Sequence, residues 1–209
     1  MFKMDNMFFT IVNKVCDIVV VSILWIICCI PVITAGAATT ALYDTVYRNI
    51  RNNRGYCYKG FFKCLIDNFK NTVQASIIFF VLTVITICDV FILHNNVDKI
   101  SQFAELQFVF LGFWILIMIW AVWTFAMTAR FENSWKITLK NGGLMFFAHL
   151  PMSLAMAVIF AVSVFVVSII PILIVVLPVG GMFINSLMIE KAFKRLIEAE
   201  RRDDTEETD

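Results

Sequence analysis

The chain has 209 residues, 60% of them hydrophobic and 16% charged, with a mean hydropathy of +0.83 and a formal net charge of +1. A soluble domain carries about 25% charged residues, so the composition excludes an ordinary soluble globular domain. With a net charge this close to zero, no global basic field points to nucleic acid.

The charges are grouped rather than scattered. Asp17 and Asp44 enclose 26 uncharged residues, Lys70 and Asp89 enclose 18, Glu105 and Arg130 enclose 24, and Lys140 and Glu190 enclose 49. An ion at the centre of a membrane helix costs about 3 kcal/mol, so charges collect where hydrocarbon ends. A single helix through the last window would measure roughly 74 Å, against a bilayer core of about 30 Å. That window therefore predicts two crossings, with Pro171 and Pro178 available for the turn.

In chain order, the first predicted span covers 8–30 and ends or kinks at Pro31. A short segment, 34–52, follows with Gly36, Ala37, Ala38 and Ala41 near its start. It is predicted to be a second membrane-embedded helix, antiparallel to the first, because small residues let helices approach closely. Residues 58–70 interleave Lys59, Lys63 and Lys70 with Phe61, Phe62, Leu65, Ile66 and Phe69 at helical spacing. This predicts an amphipathic helix lying flat at the interface, within a cytoplasmic segment 55–70. Further spans are predicted at 73–93, 106–129, 144–168 and 171–189. The expected fold class is all-α: a polytopic transmembrane helix bundle with five clear spans plus a short sixth membrane helix after Pro31. Residues 1–195 would form one domain, and the charged tail 196–209, with little to bury, would be disordered.

Orientation follows from Lys and Arg in the connecting segments. Residues 48–72 hold six, 94–105 hold only Lys99, 130–143 hold three, and the stretch from Glu190 holds five. The cytoplasmic side therefore takes 48–72, 130–143 and the C-terminus. If Pro31 merely kinks one span, five spans put the N-terminus outside; if 34–52 returns through the membrane, six put it inside, the side that Lys3 and Lys14 favour and the one expected here.

Each candidate contact also has a plainer role. Lys59, Phe61, Phe62 and Lys63 belong either to a partner-docking helix or to a basic membrane anchor. Trp120, Trp123, Met127 and Arg130 share a helix face, so Arg130 either meets an anion or a carboxylate or snorkels to headgroups. Asp89, the acid set deepest, reads as an intramembrane acid or as a helix-end carboxylate. His149 titrates or is a hydrogen-bonded buried imidazole. Asn185 bonds across helices beside small residues or faces a ligand. Ile30-Pro31-Val32 and Leu177-Pro178-Val179 echo each other, and proline-broken segments in matching positions can mark a transport site.

Cys16, Cys28, Cys29, Cys57, Cys64 and Cys88 form no C-x-x-C pair, and the two histidines lie far apart, so no metal site is expected. No phosphate-binding loop, H-E-x-x-H or G-x-S-x-G motif occurs. The expectation is a protein that is not an enzyme, with no catalytic residue and no cofactor.

Several blocks in order resemble one family. Ile30 to Gly36 with Ala41-Leu42-Tyr43, Gly55-Tyr56 with Phe61-Phe62-Lys63 and Asn68-Phe69-Lys70, Ala129-Arg130-Phe131-Glu132 with Leu139-Lys140-Asn141 and His149-Leu150-Pro151, and Pro178 with Asn185-Ser186 and Glu190 to Phe193 are similar to the YesL-like bacterial integral membrane proteins. The resemblance runs over roughly residues 8–195. It adds Glu132 and Asn141 to the candidate contacts and strengthens Arg130, His149 and Asn185. It implies a multi-pass protein of the bacterial plasma membrane whose partners, besides the lipid bilayer, are subunits of ABC-type sugar transporters. The function expected is that of an accessory or assembly factor for carbohydrate uptake. The alternative is a small-solute transporter or channel in its own right.

Overall fold

The computed structural model describes residues 2–52, 55–95 and 106–206, with side chains over 12–52, 55–94 and 106–198. Regular structure among them is entirely helical: α1 (Phe2–Cys29), α2 (Ala35–Thr45), α3 (Cys57–Asn95), α4 (Leu106–Arg130), α5 (Trp135–Ala148), α6 (Leu150–Ile169) and α7 (Leu177–Glu206). A π-helical stretch, Val46–Arg51, continues α2, and 3-10 turns at Val32–Thr34 and Pro171–Val175 lead into α2 and α7. Among the described residues, four stretches are long and apolar enough to cross a membrane: Val12–Cys29, Cys57–His94, Leu106–Arg130 and Leu150–Ile169. The fold is that of a multi-pass helical membrane protein.

All four prolines sit at helix boundaries. A proline lacks the N–H that an inner helical turn needs and pushes the preceding residue away from the helical region. Pro31 is extended, at φ −77° and ψ 108°, and the Thr34 hydroxyl reaches the carbonyls of Cys28 and Pro31 that the break leaves open. Pro151 stands in the first turn of α6 and Pro171 opens the second 3-10 turn. Pro178 is the second residue of α7.

The short α2 is the centre of the molecule. Nine of its eleven residues are buried, all but Ala35 and Thr39. It packs against α1, α3, α4 and α7. Small side chains permit this: a Cβ on Gly36 would fall 1.8 Å from Ser76 Oγ on α3 and 2.7 Å from the Phe125 ring on α4. A second close approach joins α5 to α4, where a Cβ on Gly142 would fall 2.9 Å from Thr124 Cα. One core cluster draws on all seven helices, including Val21, Tyr43, Phe61, Trp123, Phe146, Met156 and Phe193.

Contacts give the helix directions. The Trp25 indole donates to the Thr39 hydroxyl at 3.4 Å, while Lys14 and Asp17 share a recess with Asn49 and Ile50, so α1 and α2 run antiparallel. Phe79 packs on Trp120 and Phe125, and the Asn71 amide donates to the Asn133 carbonyl, so α3 and α4 are antiparallel. Trp123 meets Ser153 and Trp114 meets Phe160, so α6 runs opposite to α4. α7 returns, with Gly181 near Ser163 and Phe193 against Phe131. One end of the bundle thus gathers Lys14, Arg48, Lys63, Arg130 and Lys194. The separate helix after Pro31 and its antiparallel course agree with expectation. Most of the predicted opposite connection, 94–105 with Lys99, lies outside the described residues.

Three expectations need correction. Residues 58–70 are not a separate helix lying flat, because α3 runs unbroken for 39 residues, about 58 Å. Phe61 is fully buried and Leu65 half-buried in the bundle, while Phe62, Ile66 and Phe69 face outward. The predicted segment 144–168 is two helices divided at His149, whose backbone (φ −117°, ψ 44°) is not helical. Finally, α7 continues through the predicted disordered tail as far as Glu206, since Glu, Ala and Arg are good helix formers. Residues 207–209 lie outside the described residues.

Candidate functional site

Three chain segments far apart in sequence meet at Glu190. This carboxylate is 2% exposed. The Tyr43 hydroxyl donates to its Oε1 at 2.8 Å, and Arg130 Nη2 donates to Oε2 at 3.4 Å. Arg130 Nε also lies 3.1 Å from Oε1, an ion-pair distance without hydrogen-bond direction. The guanidinium stacks over the Tyr47 ring, 4.5 Å from its centroid. Helices α2, α4 and α7 are thus tied by one charge pair, one phenol and one cation–π contact. Removing Glu190 from water requires such partners, because an unpaired buried charge is very costly.

Trp123 lies beside this cluster, fully buried and edge-on to Phe193. Its indole N–H donates to Ser153 Oγ at 3.0 Å, and that hydroxyl donates to the Phe146 carbonyl, also at 3.0 Å. The relay fastens both sides of the His149 break to α4. The His149 ring stands 6.0 Å from that of Trp123, and its Nδ1 is buried without a hydrogen-bond partner.

One residue beyond Tyr43 on α2, Asp44 is buried and its Oδ1 meets Arg48 Nε at 2.6 Å, a pair one helical turn apart. These residues border an open recess of about 290 Å³ whose wall also includes Asn49, Lys63, Asp67, Asn68 and Ala129. A smaller recess of about 140 Å³, lined by Lys14, Asp17, Asn49, Ile50 and Gly55, lies on the other flank of the π-helical stretch. Asn49 borders both. Single π-helical turns often mark functional positions, because they displace the backbone relative to a regular helix.

The structure distributes the predicted contacts as follows. Arg130 turns inward with Trp120, Trp123 and Met127, as their shared face required, and its carboxylate partner belongs to the same chain. His149 joins the same neighbourhood through Trp123. Lys63 lines the larger recess, whereas Lys59 and Phe62 lie on the outer face of α3, Lys59 over the rings of Tyr56 and Tyr58. Phe61 is core. Glu132 is exposed at the turn after α4, and Asn141 is half-buried on α5. Asn185 lies half-buried on α7, more than a turn before Glu190, its Oδ1 buried and without a partner. Asp89 is half-buried near the far end of α3. Glu190, Tyr43, Asp44 and Ser153 were not among the predicted contacts. Glu190 carries one signal in sequence, as the first charge after the longest apolar run. Among the described residues no group of three His, Cys, Asp or Glu could hold a metal ion.

Residues 18–90 match the sequence profile of a family described as a protein of unknown function, DUF624. The match spans the C-terminal part of α1, all of α2 and most of α3. It includes Tyr43 and nearly the whole wall of the larger recess, but neither Arg130 nor Glu190. No curated protein and no solved structure matches the chain.

Proposed function

We propose that the protein is a non-enzymatic accessory subunit of a membrane complex, docking another protein at its basic end. The observation that carries this reading is a filled interior. Trp123, Tyr43, Phe61, Phe193, Leu42 and Met156 are fully buried at its centre, and the deepest charges neutralise one another. A solute path needs polar surface at the bilayer midplane, whereas here the ion pairs and both recesses lie near the basic end. The docking surface is the outer face of α3 around Tyr58, Lys59 and Phe62, all exposed beyond the last turn of α4. Resemblance to the YesL-like proteins supports an ABC-type carbohydrate importer as the partner class.

The membrane is the bacterial plasma membrane, with the basic end cytoplasmic by its excess of Lys and Arg. Six crossings fit the helix directions: α1, α2, α3, α4, α6 and a return through residues 171–189. That return is about 30 Å long when its 3-10 turn is included.

Affinity capture of the full chain in mild detergent tests the reading. We expect a transporter complex to co-purify and to be lost in a Lys59→Glu, Phe62→Ala double variant that still inserts. Retention of the partner by that variant removes this face as the dock. A second reading, a small-solute transporter, draws on buried polar atoms without hydrogen-bond partners on α1 (Ser22), α2 (Thr40, Thr45) and α7 (Asn185). Solute flux through liposomes holding the purified protein alone favours that one.

A further inference from the structure

The larger recess combines opposite charges in an unusual way. Asp44 holds Arg48 through Nε, which leaves the terminal guanidinium nitrogens on a side chain that is 52% exposed. Lys63 stands on the same wall. Arginine presents two parallel N–H groups to a phosphate, and lysine adds a point charge. The opposite character comes from Asp67, exposed one turn after Lys63, and from Asn68. The Asn68 amide nitrogen donates to the Cys64 carbonyl at 3.1 Å, so its oxygen remains as an acceptor. An anion alone would be opposed by Asp67, and an uncharged polyol would leave the charges unanswered. Among the described residues no aromatic ring lines the recess, whereas quaternary ammonium recognition uses aromatic cages.

The surroundings point to a lipid. Ala129, in the last turn of α4, forms part of the wall, which sets the recess at the level where that span ends. From this level Ile77, Val81 and Ile85, all exposed, continue along α3 on the side of Lys63 and Asp67, with five full turns separating Lys63 from Val81 and Asp67 from Ile85. Such a stripe presents an apolar track to acyl chains.

We propose that this recess binds the headgroup of a zwitterionic phospholipid with a primary ammonium, of the phosphatidylethanolamine class. The phosphate lies on Arg48 and Lys63, the ammonium on Asp67 and Asn68, and the acyl chains along the α3 stripe. The proposal rests on the membrane placement of α3 and α4 and not on any protein partner; Lys59 and Phe62 take no part in it.

Native mass spectrometry of the full chain, offered an equimolar mixture of phosphatidylethanolamine, phosphatidylglycerol and phosphatidylcholine, tests it. We expect phosphatidylethanolamine to be retained preferentially. Asp67→Asn removes the ammonium partner and should lower the phosphatidylethanolamine to phosphatidylglycerol ratio about fivefold, the scale of one exposed charge pair. Arg48→Gln should lower retention of all three lipids, since each carries the phosphate. If Arg48→Gln does not fold, Asp67→Asn decides alone, since that carboxylate is exposed. Equal retention of the three lipids by the natural protein, or an unchanged ratio in folded Asp67→Asn, overturns the proposal. Release of the bound lipid by millimolar free phosphoethanolamine assigns the site to a soluble zwitterion and overturns the lipid assignment.

Discussion

Glu190 is the residue on which α2, α4 and α7 converge, and the physics of a buried ion pair predicts an asymmetry. Removing one partner of such a pair costs about 3–5 kcal/mol because the other charge stays buried, whereas replacing both with apolar residues of similar volume is often close to neutral. Arg130 is one-quarter exposed, so water can relieve it when Glu190 is lost; Glu190 has no such recourse. We therefore expect Arg130→Met alone to be the most damaging change, Glu190→Leu alone to be milder, and the double variant to recover most of the loss. Tyr43→Phe, which removes one hydrogen bond to the carboxylate, should cost about 1–3 kcal/mol. Thermal unfolding in detergent measures all four, and a double variant no more stable than Arg130→Met denies the coupling. Half of this pair was legible in sequence. The spacing of Trp120, Trp123, Met127 and Arg130 defines one inward face, but nothing local names a partner 60 residues away. Glu190 read instead as the point where an apolar run stops.

Among elements, α3 shows where charge patterns mislead. Charges mark the end of hydrocarbon, not the end of a helix, and Lys70 does not interrupt an α-helix that continues into water. Hence α3 begins well before its apolar window, at Cys57, and α7 runs well past its own, to Glu206. The prolines are the better guides: Pro151, in the first turn of α6, stands where α5 gives way to α6. The unbroken course of α3 has a direct measure. Spin labels at Ile66→Cys and Ile87→Cys, both exposed positions in a background without other cysteines, should lie about 32 Å apart along a continuous helix. A markedly shorter distance would restore a flat amphipathic helix bent away from the span.

For the molecule as a whole, the helix directions make a topological statement that the basic-residue count made independently. Lys14, Lys63, Lys136 and Lys194 are all assigned to one end, and position 98 is predicted to lie at the other. Single cysteines at these places, labelled from each side of sealed vesicles, should react as a group of four against one. Reaction of Lys14→Cys from the side of position 98 overturns the antiparallel pairing of α1 with α2. That pairing also governs how the protein can be made. Helix α2 has eleven residues, several of them small, with Asp44 near its end, too short and too weakly apolar to enter a bilayer unaided. Its principal neighbours, α3 and α4, lie later in the chain. During synthesis the first span is therefore expected to stand without α2 packed against it until α3 follows. A chain interrupted after Arg51 has nothing with which to draw α2 inward. The central element of the bundle is thus expected to reach its place only after α3 and α4 have been made.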